Sequence, residues 1–303
     1  MSLNTPIAFI IYRRPESSKM VFESIRKVEP KKLYIIADGP KNKNEETKCR
    51  STRHLIETSI DWNCEVEKIY SDTNLGCARR VQTGIDYVFQ NETSAIILED
   101  DTLPNHSFFG FCEQLLAKYK EDERVFHVSG CNFFPSKSTC ESSYYLSSIV
   151  NIWGWATWAR AWKKYDLRME SWAKQDKNKF LKEWCSDKTT KKDTLKMFDL
   201  HCNNPNPWTW DYQWVYTCWA NKGLSVMPYK NLIQNIGLGP EGTNTYFATE
   251  QEKYPKDVSE LEFPIVHPVF NRDRKFEESY HAKSKGKIIN RIKRYLKRIL
   301  QQF

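Results

Sequence analysis

The chain contains the stretch Ala95-Ile96-Ile97-Leu98-Glu99-Asp100-Asp101, in which four apolar residues lead directly into three carboxylates. A short apolar run of this kind is typical of a strand that is buried on both faces of a parallel sheet. The three carboxylates, here called the acidic triplet, then mark the carboxyl end of the strand, which is where ligands bind in open α/β sheets. This stretch therefore predicts both an α/β fold and the position of its site.

The neighbouring sequence repeats the pattern on both sides. Apolar runs predict strands, and apolar residues at helical spacing predict helices between them. The strands are expected at 7–12, 33–37, 66–70 and 125–128, and the helices at 15–27, around 55–59, at 77–89 and at 108–119. Strands that alternate with helices favour a mainly parallel sheet with helices on both faces. Farther along, 211–220 predicts a helix, 224–227 a short strand and 235–260 a polar loop region.

The chain is expected to form one domain followed by a short tail. Its 303 residues contain no internal repeat and no Gly/Ser-rich linker, so residues 1–280 are predicted as one domain. The two halves of this domain, about 1–130 and 131–280, differ in composition, because ten of the eleven tryptophans fall in the second. Residues 281–303 form a separate basic segment.

The net charge of +8 is concentrated in that basic segment. Its eight basic residues, with no acidic residue among them, are Lys283, Lys285, Lys287, Arg291, Lys293, Arg294, Lys297 and Arg298. The other 38 basic residues are balanced by 38 acidic residues, so the body of the chain is neutral. A neutral body argues against a nucleic-acid-binding protein.

The tail has the pattern of an amphipathic helix. Apolar residues recur every three or four positions, at Ile288, Ile292, Leu296, Ile299 and Phe303. A basic interfacial helix of this kind would lie on an anionic membrane surface, where each basic residue contributes about 1 kcal/mol of binding. Alternatively, the apolar stripe docks on the protein itself or on a partner subunit.

The sequence shows no membrane-spanning or export segment. No apolar run approaches the ~20 residues of a spanning helix. The first run, 7–12, has no basic residue before it and two directly after it, which is the wrong order for a signal peptide. The expected location is cytoplasmic, peripheral on the inner face of the plasma membrane through the tail.

The acidic triplet predicts the chemistry of the site. Three adjacent carboxylates repel one another unless a cation or strong hydrogen-bond donors compensate. Mg²⁺ and Mn²⁺ prefer carboxylate and phosphate oxygens, so a metal ion that carries a diphosphate would explain the triplet. The alternative is a solvated acidic turn that caps the helix beginning near Ser107.

Two arginine pairs lie where they could neutralise phosphate. Arg13-Arg14 follows the first predicted strand, and Arg79-Arg80 opens the 77–89 helix. Basic residues at a helix N-terminus oppose the helix dipole, so a bound anion would offset them. Surface salt bridges are the alternative for both pairs.

Two tryptophan-rich stretches contain further candidates. Trp155 belongs to the stretch 153–158, and Trp210 belongs to 208–214. Indole rings suit a core wall or a sugar-stacking platform, since they combine a large apolar area with one N–H donor. Asp211 lies among the aromatic residues of the second stretch, where a carboxylate needs a buried partner or a raised pKa, as a catalytic base does. Its alternative role is a helix N-cap.

In their order along the chain, these motifs resemble bacterial sugar-nucleotide-dependent glycosyltransferases related to the N-acetylglucosaminyltransferase I group. The resemblance runs from about Ile7 to Thr245 and rests on Ile96-Ile97-Leu98-Glu99-Asp100-Asp101 with Pro104, Ile152-Trp153-Gly154-Trp155-Ala156-Thr157-Trp158, and Trp210-Asp211-Tyr212-Gln213-Trp214. It implies the Rossmann-like GT-A fold, with a nucleotide-binding first half and an acceptor-binding second half. It also implies inverting transfer from a nucleotide diphosphate-sugar to a glycan or lipid-linked acceptor, with bound Mn²⁺ or Mg²⁺.

The resemblance implies roles for the acidic residues by position. Asp101 would be the direct metal ligand, Asp100 would reach the ribose, and Glu99 would reach the donor sugar or the water shell of the metal. Asp211 would be the general base. Related sequences often carry Thr-His-Thr where this chain has Thr243-Asn244-Thr245. Because an amide is a poorer metal or phosphate partner than imidazole, the metal is expected to rest on Asp101, the diphosphate and water.

The remaining candidates contact the donor or the acceptor. The resemblance implies that Arg14 and Asp38 hold the nucleotide and its base. Arg80 is a candidate for phosphate, and Trp155 and Trp210 are candidates for stacking on a sugar.

Two other function classes stay open. A sugar-1-phosphate nucleotidyltransferase also uses a nucleotide-binding sheet, but it requires a glycine-rich basic loop after the first strand, and residues 12–16 contain no glycine. A non-catalytic carbohydrate-binding protein could be built on the tryptophans, but it gives no reason for the acidic triplet.

Overall fold

An eight-stranded mixed sheet lies at the centre of the computed structural model, which describes residues 2–135, 141–185, 187–237 and 257–284. In chain order, the strands are β1 Ile7–Ile11, β2 Lys32–Ala37, β3 Glu65–Tyr70, β4 Ser94–Glu99, β5 Thr102–Pro104, β6 Val125–Ser129, β7 Tyr144–Ser147, β8 Trp155–Trp158, β9 Leu224–Pro228 and β10 Ile233–Asn235. The large sheet has the order β3-β2-β1-β4-β8-β6-β9-β7, and β5 pairs with β10 in a second, two-stranded sheet. In the large sheet β8 and β7 run antiparallel to the other six strands.

Helices connect the strands and cover the sheet. Within the described residues they are α1 Pro15–Arg26, α2 Lys43–Thr58, α3 Cys77–Asn91, α4 His106–Lys118, α5 Ala159–Trp162, α6 Lys177–Trp184, α7 Lys188–His201, α8 Asp211–Ala220 and α9 Arg274–Ser284, with a 3₁₀ helix at Glu170–Lys174. Local sequence explains where they begin. Pro15 lies at the start of α1, where its missing N–H costs nothing, and the side chains of Asn42 and Asn105 cap α2 and α4.

Residues on each central strand alternate between two hydrophobic clusters, one on each face of the sheet. In β1, Phe9 and Ile11 pack in one cluster with residues of α1 and α4. Ala8 and Ile10 pack in the other, with α3 and most of the buried tryptophans. The predicted fold class, α/β with a mainly parallel sheet and helices on both faces, is confirmed, and it agrees with the Rossmann-like GT-A architecture.

The sequence does not predict the antiparallel strands β7 and β8. All four residues of β8 are buried, so this strand lacks the alternation of apolar and polar residues that marks a half-exposed strand. Its two tryptophans suggest an aromatic cluster instead. Because β8 pairs with both β4 and β6, the second half of the domain continues the sheet of the first half.

The C-terminal helix α9 packs against the edge of the large sheet. The rings of Tyr145 on β7 and Phe276 stack with centroids 4.1 Å apart. The side-chain amide of Asn151 donates a hydrogen bond of 2.8 Å to the hydroxyl of Tyr280. Since α9 continues to Ser284, the domain boundary expected after residue 280 falls inside a helix.

Glu277 attaches α9 to the sheet through a buried ion pair. Its carboxylate lies 2.8 Å from Arg272 Nη2 and accepts a hydrogen bond from Ser147 Oγ at 3.2 Å. Removing the carboxylate leaves the guanidinium unpaired, so we expect Glu277→Ala to lower the free energy of unfolding by about 3 kcal/mol. Urea denaturation measures the loss, with Glu278→Ala, an exposed carboxylate of the same helix, as the matched control. Equal, small losses in the two variants would contradict this role.

Two sequence predictions fall outside the described residues. The amphipathic tail from 285 onward is one, and the Thr243-Asn244-Thr245 stretch is the other. Within the described ranges, no helix combines the length and the apolar content that crossing a membrane requires.

Candidate active site

Three neighbouring parallel strands end together at the candidate site. β1 lies between β2 and β4, and its last residue, Ile11, is opposite Ala37, the last residue of β2. The segments that follow the three strands therefore meet at one edge of the sheet, and they carry Arg14, Asp38 and the acidic triplet. The predicted position of the triplet, at the carboxyl end of a buried strand, is confirmed.

Arg14 compensates two of the three carboxylates. Its Nη1 lies 2.9 Å from Asp101 Oδ2, and its Nη2 donates to Asp100. Asp100 also accepts a hydrogen bond of 3.2 Å from the backbone N–H of Tyr12. Burial lowers the pKa of Arg14, but Asp100 and Asp101 outweigh burial and raise this pKa above its ordinary value. Arg14 therefore supplies part of the positive charge that the triplet requires. Its guanidinium is already paired with carboxylates in the absence of a phosphate ligand.

Arg13, the other member of that pair, points to a different partner. Its Nη1 lies 3.1 Å from Glu45 Oε1. Arg13 therefore forms a salt bridge with Glu45, which was the alternative to a phosphate contact.

Glu99 lacks a comparable partner. Among the described residues, no donor forms a hydrogen bond to its carboxylate. Burial first, and then the charges of Asp101 and Asp100, raise the pKa of Glu99 to about 8, with Arg14 opposing them. The charge of Asp211 also raises this pKa, so Asp211 lies close enough to Glu99 for the two carboxylates to interact. Glu99 is therefore the carboxyl group of the triplet whose charge the chain compensates least, and it favours the protonated form up to about neutral pH.

The donor set fits a metal ion that arrives with other ligands. Within the described part of the chain, no three His, Cys, Asp or Glu side chains are grouped closely enough to hold a metal ion. Asp101 Oδ1 accepts no hydrogen bond from a described residue and is available as one oxygen ligand. Mg²⁺ and Mn²⁺ keep several waters and take oxygen ligands from phosphates. A cation at Asp101 would therefore take its other ligands mainly from a diphosphate and from water.

Gly237 is a site residue that the sequence reasoning missed. The backbone N–H of its neighbour Ile236 donates a hydrogen bond of 2.8 Å to the carbonyl oxygen of Asp101. A Cβ atom on residue 237 would overlap Asp101 Oδ2 and would lie 2.6 Å from Asp101 Cβ and 2.7 Å from Arg14 Nη1. Only glycine fits over this ion pair. The three glycines at 237, 239 and 242 could have indicated a close approach of the backbone to other groups. The sequence analysis above predicts only a polar loop there.

Asp38 is held by hydrogen bonds from its own chain. Its carboxylate accepts hydrogen bonds from the backbone N–H groups of Gly39, Leu75 and Gly76, at 2.8 to 3.0 Å, and from Asn74 Nδ2 at 3.0 Å. A carboxylate offers about four acceptor sites, and the chain fills all four. Asp38 therefore orders the turn that leads into α3, and its contact with the base stays a prediction.

Arg80 lies in the first turn of α3, close to Asp38. The residue is 5% exposed, and its Nε is buried without a hydrogen-bonding partner. Burial lowers the pKa of Arg80, and the charge of Asp38 opposes that effect. The preceding residue, Arg79, is exposed and donates a hydrogen bond of 3.1 Å to the carbonyl oxygen of Pro205. Of this pair, only Arg80 is enclosed near the site.

Asp211 is the first residue of α8, and Trp210 occupies the N-cap position. The N-cap alternative for Asp211 is therefore wrong. Its Oδ1 accepts hydrogen bonds from the hydroxyl of Thr209 at 2.6 Å and from the backbone N–H of Tyr212 at 3.0 Å. Thr209 is buried, so the expected buried partner of Asp211 is present.

The thiol of Cys77 lies near both the acidic triplet and Asp211. Burial raises the pKa of the Cys77 thiol, and the charges of Glu99, Asp211 and Asp101 raise it further. Its sulfur therefore lies within electrostatic reach of all three carboxylates. The sequence places Cys77 at the start of a helix but gives no signal that this residue faces the site.

Trp155 and Trp210 are core residues. They are 1% and 2% exposed, and their rings stack with centroids 5.4 Å apart and an interplanar angle of 22°. His127, which is also buried, stacks on Trp155 at 5.2 Å. Neither indole has a face open to a sugar, so the stacking platform is corrected to a core wall behind Asp211.

The comparisons with known proteins give distant matches among solved structures. No profile of a known protein family and no curated protein matches the chain. HddC from Yersinia pseudotuberculosis is 10% identical, with a TM-score of 0.33 over 53% of this chain and 80% of that one. Residues 1–349 of TarS from S. aureus are 9% identical, with a TM-score of 0.42 over 79% of this chain and 62% of that one. A UDP-glucose pyrophosphorylase, solved with UDP-glucose, is 10% identical, with a TM-score of 0.30 over 54% of this chain and 79% of that one.

Proposed function

We propose that the protein is a metal-dependent, inverting glycosyltransferase. It would move a sugar from a nucleotide diphosphate-sugar to a hydroxyl of a glycan or lipid-linked glycan acceptor in surface polysaccharide synthesis. One observation carries the proposal. Carboxylates of the acidic triplet and Asp211, which are more than 100 residues apart in sequence, lie within electrostatic reach of each other at the carboxyl ends of the strands. The sequence resemblance supports the same reading.

The acidic triplet is proposed to hold the donor. Asp101 would bind Mn²⁺ or Mg²⁺ through Oδ1, and Glu99 would contact the water shell of the metal or the donor sugar. Asp100 would reach the ribose, and Arg14 would keep Asp100 and Asp101 in place through the ion pairs described above. Charge on the departing diphosphate would be neutralised by the metal ion when it is bound.

Asp211 is proposed to be the general base. It would take the proton of the acceptor hydroxyl, whose oxygen forms a bond to the anomeric carbon as the bond to the diphosphate breaks. Attack from the side opposite the diphosphate inverts the configuration at that carbon. The hydrogen bond from Thr209 fixes the orientation of the carboxylate, and its second oxygen, Oδ2, is the atom proposed to receive the proton.

The two other function classes lose support. The connection between β1 and α1 is only Tyr12-Arg13-Arg14, and both arginines are engaged with carboxylates, so it does not form the phosphate-binding loop that a nucleotidyltransferase requires. The tryptophans on which a carbohydrate-binding protein would depend are mostly enclosed.

Product analysis tests the reaction class. We would incubate the protein with Mn²⁺ and a panel of nucleotide diphosphate-sugars, with and without pyrophosphate, and follow phosphorus species by ³¹P NMR. A glycosyltransferase releases the nucleoside diphosphate, slowly to water and faster to an acceptor extract. Formation of nucleoside triphosphate and sugar-1-phosphate from pyrophosphate would instead identify a nucleotidyltransferase.

We further propose that the basic tail brings the enzyme to an anionic membrane that carries its acceptor. A chain ending at Ser284 tests this, because it removes the tail but keeps Tyr280 and its buried contact with Asn151. We expect the full chain to sediment with anionic vesicles at low salt and to be released by high salt, and the shortened chain to stay in the supernatant. Neutral vesicles are the control. Equal sedimentation of the two chains, or binding that is indifferent to lipid charge, would leave the tail with a packing role.

A further inference from the structure

We propose that His127 is a positioning residue for Asp211, because it fixes the direction in which the first turn of α8 presents this carboxylate to the acidic triplet. The inference rests on the proposed function, since it concerns the orientation of the proposed general base. His127 lies in the middle of β6, an inner strand of the large sheet, and is fully buried. It acts through Trp210 and Trp214, which lie on either side of Asp211 in the sequence.

Two hydrogen bonds hold the imidazole of His127 in one neutral tautomer. Its Nδ1 lies 3.2 Å from the indole nitrogen of Trp214, and its Nε2 lies 2.9 Å from the backbone carbonyl oxygen of Asn151. An indole N–H only donates and a carbonyl oxygen only accepts, so Nδ1 is the acceptor and Nε2 carries the proton. Burial lowers the pKa of His127 to about 3, although the hydrogen bond to Asn151 opposes this effect. The same two bonds therefore persist at every pH near neutrality.

The ring of His127 also begins a stack that ends beside Asp211. It stacks on Trp155 with centroids 5.2 Å apart and an interplanar angle of 23°. Trp155 stacks in turn on Trp210, with centroids 5.4 Å apart. Trp210 is the N-cap residue of α8 and directly precedes Asp211. The beginning of α8 is therefore held against the sheet by this stack and by the hydrogen bond from Trp214.

The contacts of Trp210 and Trp214 together determine how α8 is rotated about its axis. The backbone N–H of Trp214 donates a hydrogen bond of 3.3 Å to the carbonyl oxygen of Trp210, so the two residues are one turn apart and share a side of the helix. Both are buried, whereas Asp211 is only partly buried. Consecutive residues of a helix are roughly 100° apart around its axis. A rotation of α8 would therefore move the Asp211 carboxylate relative to the acidic triplet.

Stacking alone does not require a histidine at position 127. Phenylalanine could fill a similar space beside Trp155, but it could not accept the indole N–H of Trp214. A buried donor without an acceptor is unfavourable, so α8 would shift until this N–H found another partner. A displacement of about 1 Å at a reacting group can reduce turnover by about 10²-fold. We therefore expect His127→Phe to lower kcat by roughly 10- to 100-fold and to leave the KM of the donor unchanged, because the donor is proposed to rest on the acidic triplet.

A double variant separates positioning from stability. In His127→Phe, the carbonyl oxygen of Asn151 keeps the hydrogen bond of 2.9 Å from Ser129 Oγ, so the group that loses its partner is the indole N–H of Trp214. In Trp214→Phe, that group is Nδ1 of His127. The double variant removes both groups, so its loss of Tm should be smaller than the two single losses added together. Its kcat should stay as low as in either single variant, because the bond that orients α8 is still absent.

Two further variants test whether His127 acts through Asp211. Trp219→Phe is the matched control, because the indole N–H of Trp219 donates a hydrogen bond of 2.7 Å to the carbonyl oxygen of Ser148 at the other end of α8. This variant should have a lower Tm and an unchanged kcat. In the Asp211→Asn background, His127→Phe should cause little further loss of kcat, because the base that it positions is already absent.

Transfer kinetics and thermal melts measure kcat, KM and Tm for each variant, and calorimetry with nucleoside diphosphates and Mn²⁺ verifies that the donor site is intact. An unchanged kcat in folded His127→Phe would overturn the inference. Recovery of kcat together with Tm in the double variant would do the same, as would a further loss of about 10-fold in the Asp211→Asn background. If His127→Phe does not fold, equal kcat values in Trp214→Phe and Trp219→Phe overturn the inference. A wild-type chain that binds no nucleoside diphosphate and transfers no sugar would contradict the proposed function itself, and this inference with it.

Discussion

Replacing Asp101 with alanine should abolish sugar transfer and the metal-dependent part of nucleotide diphosphate binding. Asp101 is the proposed metal ligand of the triplet and accepts the hydrogen bond of Arg14 through Oδ2 alone, and a diphosphate without this carboxylate would not retain the cation. The fold should survive, because Arg14 keeps its contact with Asp100 and one source of like-charge repulsion disappears. Transfer assays and calorimetry with and without Mn²⁺ measure the two effects.

Glu16→Ala is the matched control for this variant. Glu16 is an exposed carboxylate in the first turn of α1, two residues from Arg14, so its loss changes the net charge equally near the same edge of the sheet. It should leave transfer and nucleotide binding unchanged. Near-normal activity of Asp101→Ala in the presence of EDTA would show that neither Asp101 nor a metal ion is needed.

Replacing Asp211 with asparagine should reduce turnover by roughly 10²- to 10⁴-fold, the usual contribution of a general base. The amide oxygen can still accept the hydrogen bonds that Thr209 and Tyr212 donate to Oδ1, so the start of α8 should be preserved. Donor binding should also be preserved, because the donor is proposed to rest on the acidic triplet. Single-turnover kinetics and calorimetry separate the two quantities.

Asp176→Asn distinguishes a catalytic carboxylate from a helix-end carboxylate. Asp176 caps α6 by accepting a hydrogen bond of 3.1 Å from the backbone N–H of Lys179, away from the site. Its variant should melt slightly earlier and keep full turnover. If Asp211→Asn behaved in the same way, Asp211 would be a helix-end residue and the base would have to be sought elsewhere.

The parallel strands of the fold were predictable, and the reason is local. Each of β1, β2 and β4 is a short apolar run that can be read without knowledge of its neighbours. β7 and β8 depend on partners that are distant in sequence: β8 is buried by strands on both sides and by stacked indoles. Burial of this kind removes the alternation from which a strand is recognised.

The places of the candidate residues in the fold could be predicted from the sequence, but the contacts of these residues could not. The order of the motifs located the acidic triplet and Asp211. The ion pairs of Arg14 with Asp100 and Asp101 depend on how β1 and β4 align. The hydrogen bonds that occupy the carboxylate of Asp38 depend on the conformation of the turn 74–76. Both are set by tertiary packing, which decides whether a charged residue is engaged or open to a ligand.

A thermal-shift panel tests the central claim, that the chain binds a nucleotide diphosphate through a metal ion at the acidic triplet. Ligands that bind only the folded state raise Tm by mass action, with a stabilisation of about 2.7 kcal/mol at a ligand concentration of 100 times Kd. We expect at least one nucleoside diphosphate, and its sugar, to raise Tm with Mn²⁺ present and to have little effect with EDTA. An unchanged Tm across all diphosphates, or equal shifts with Mn²⁺ and with EDTA, would contradict the claim.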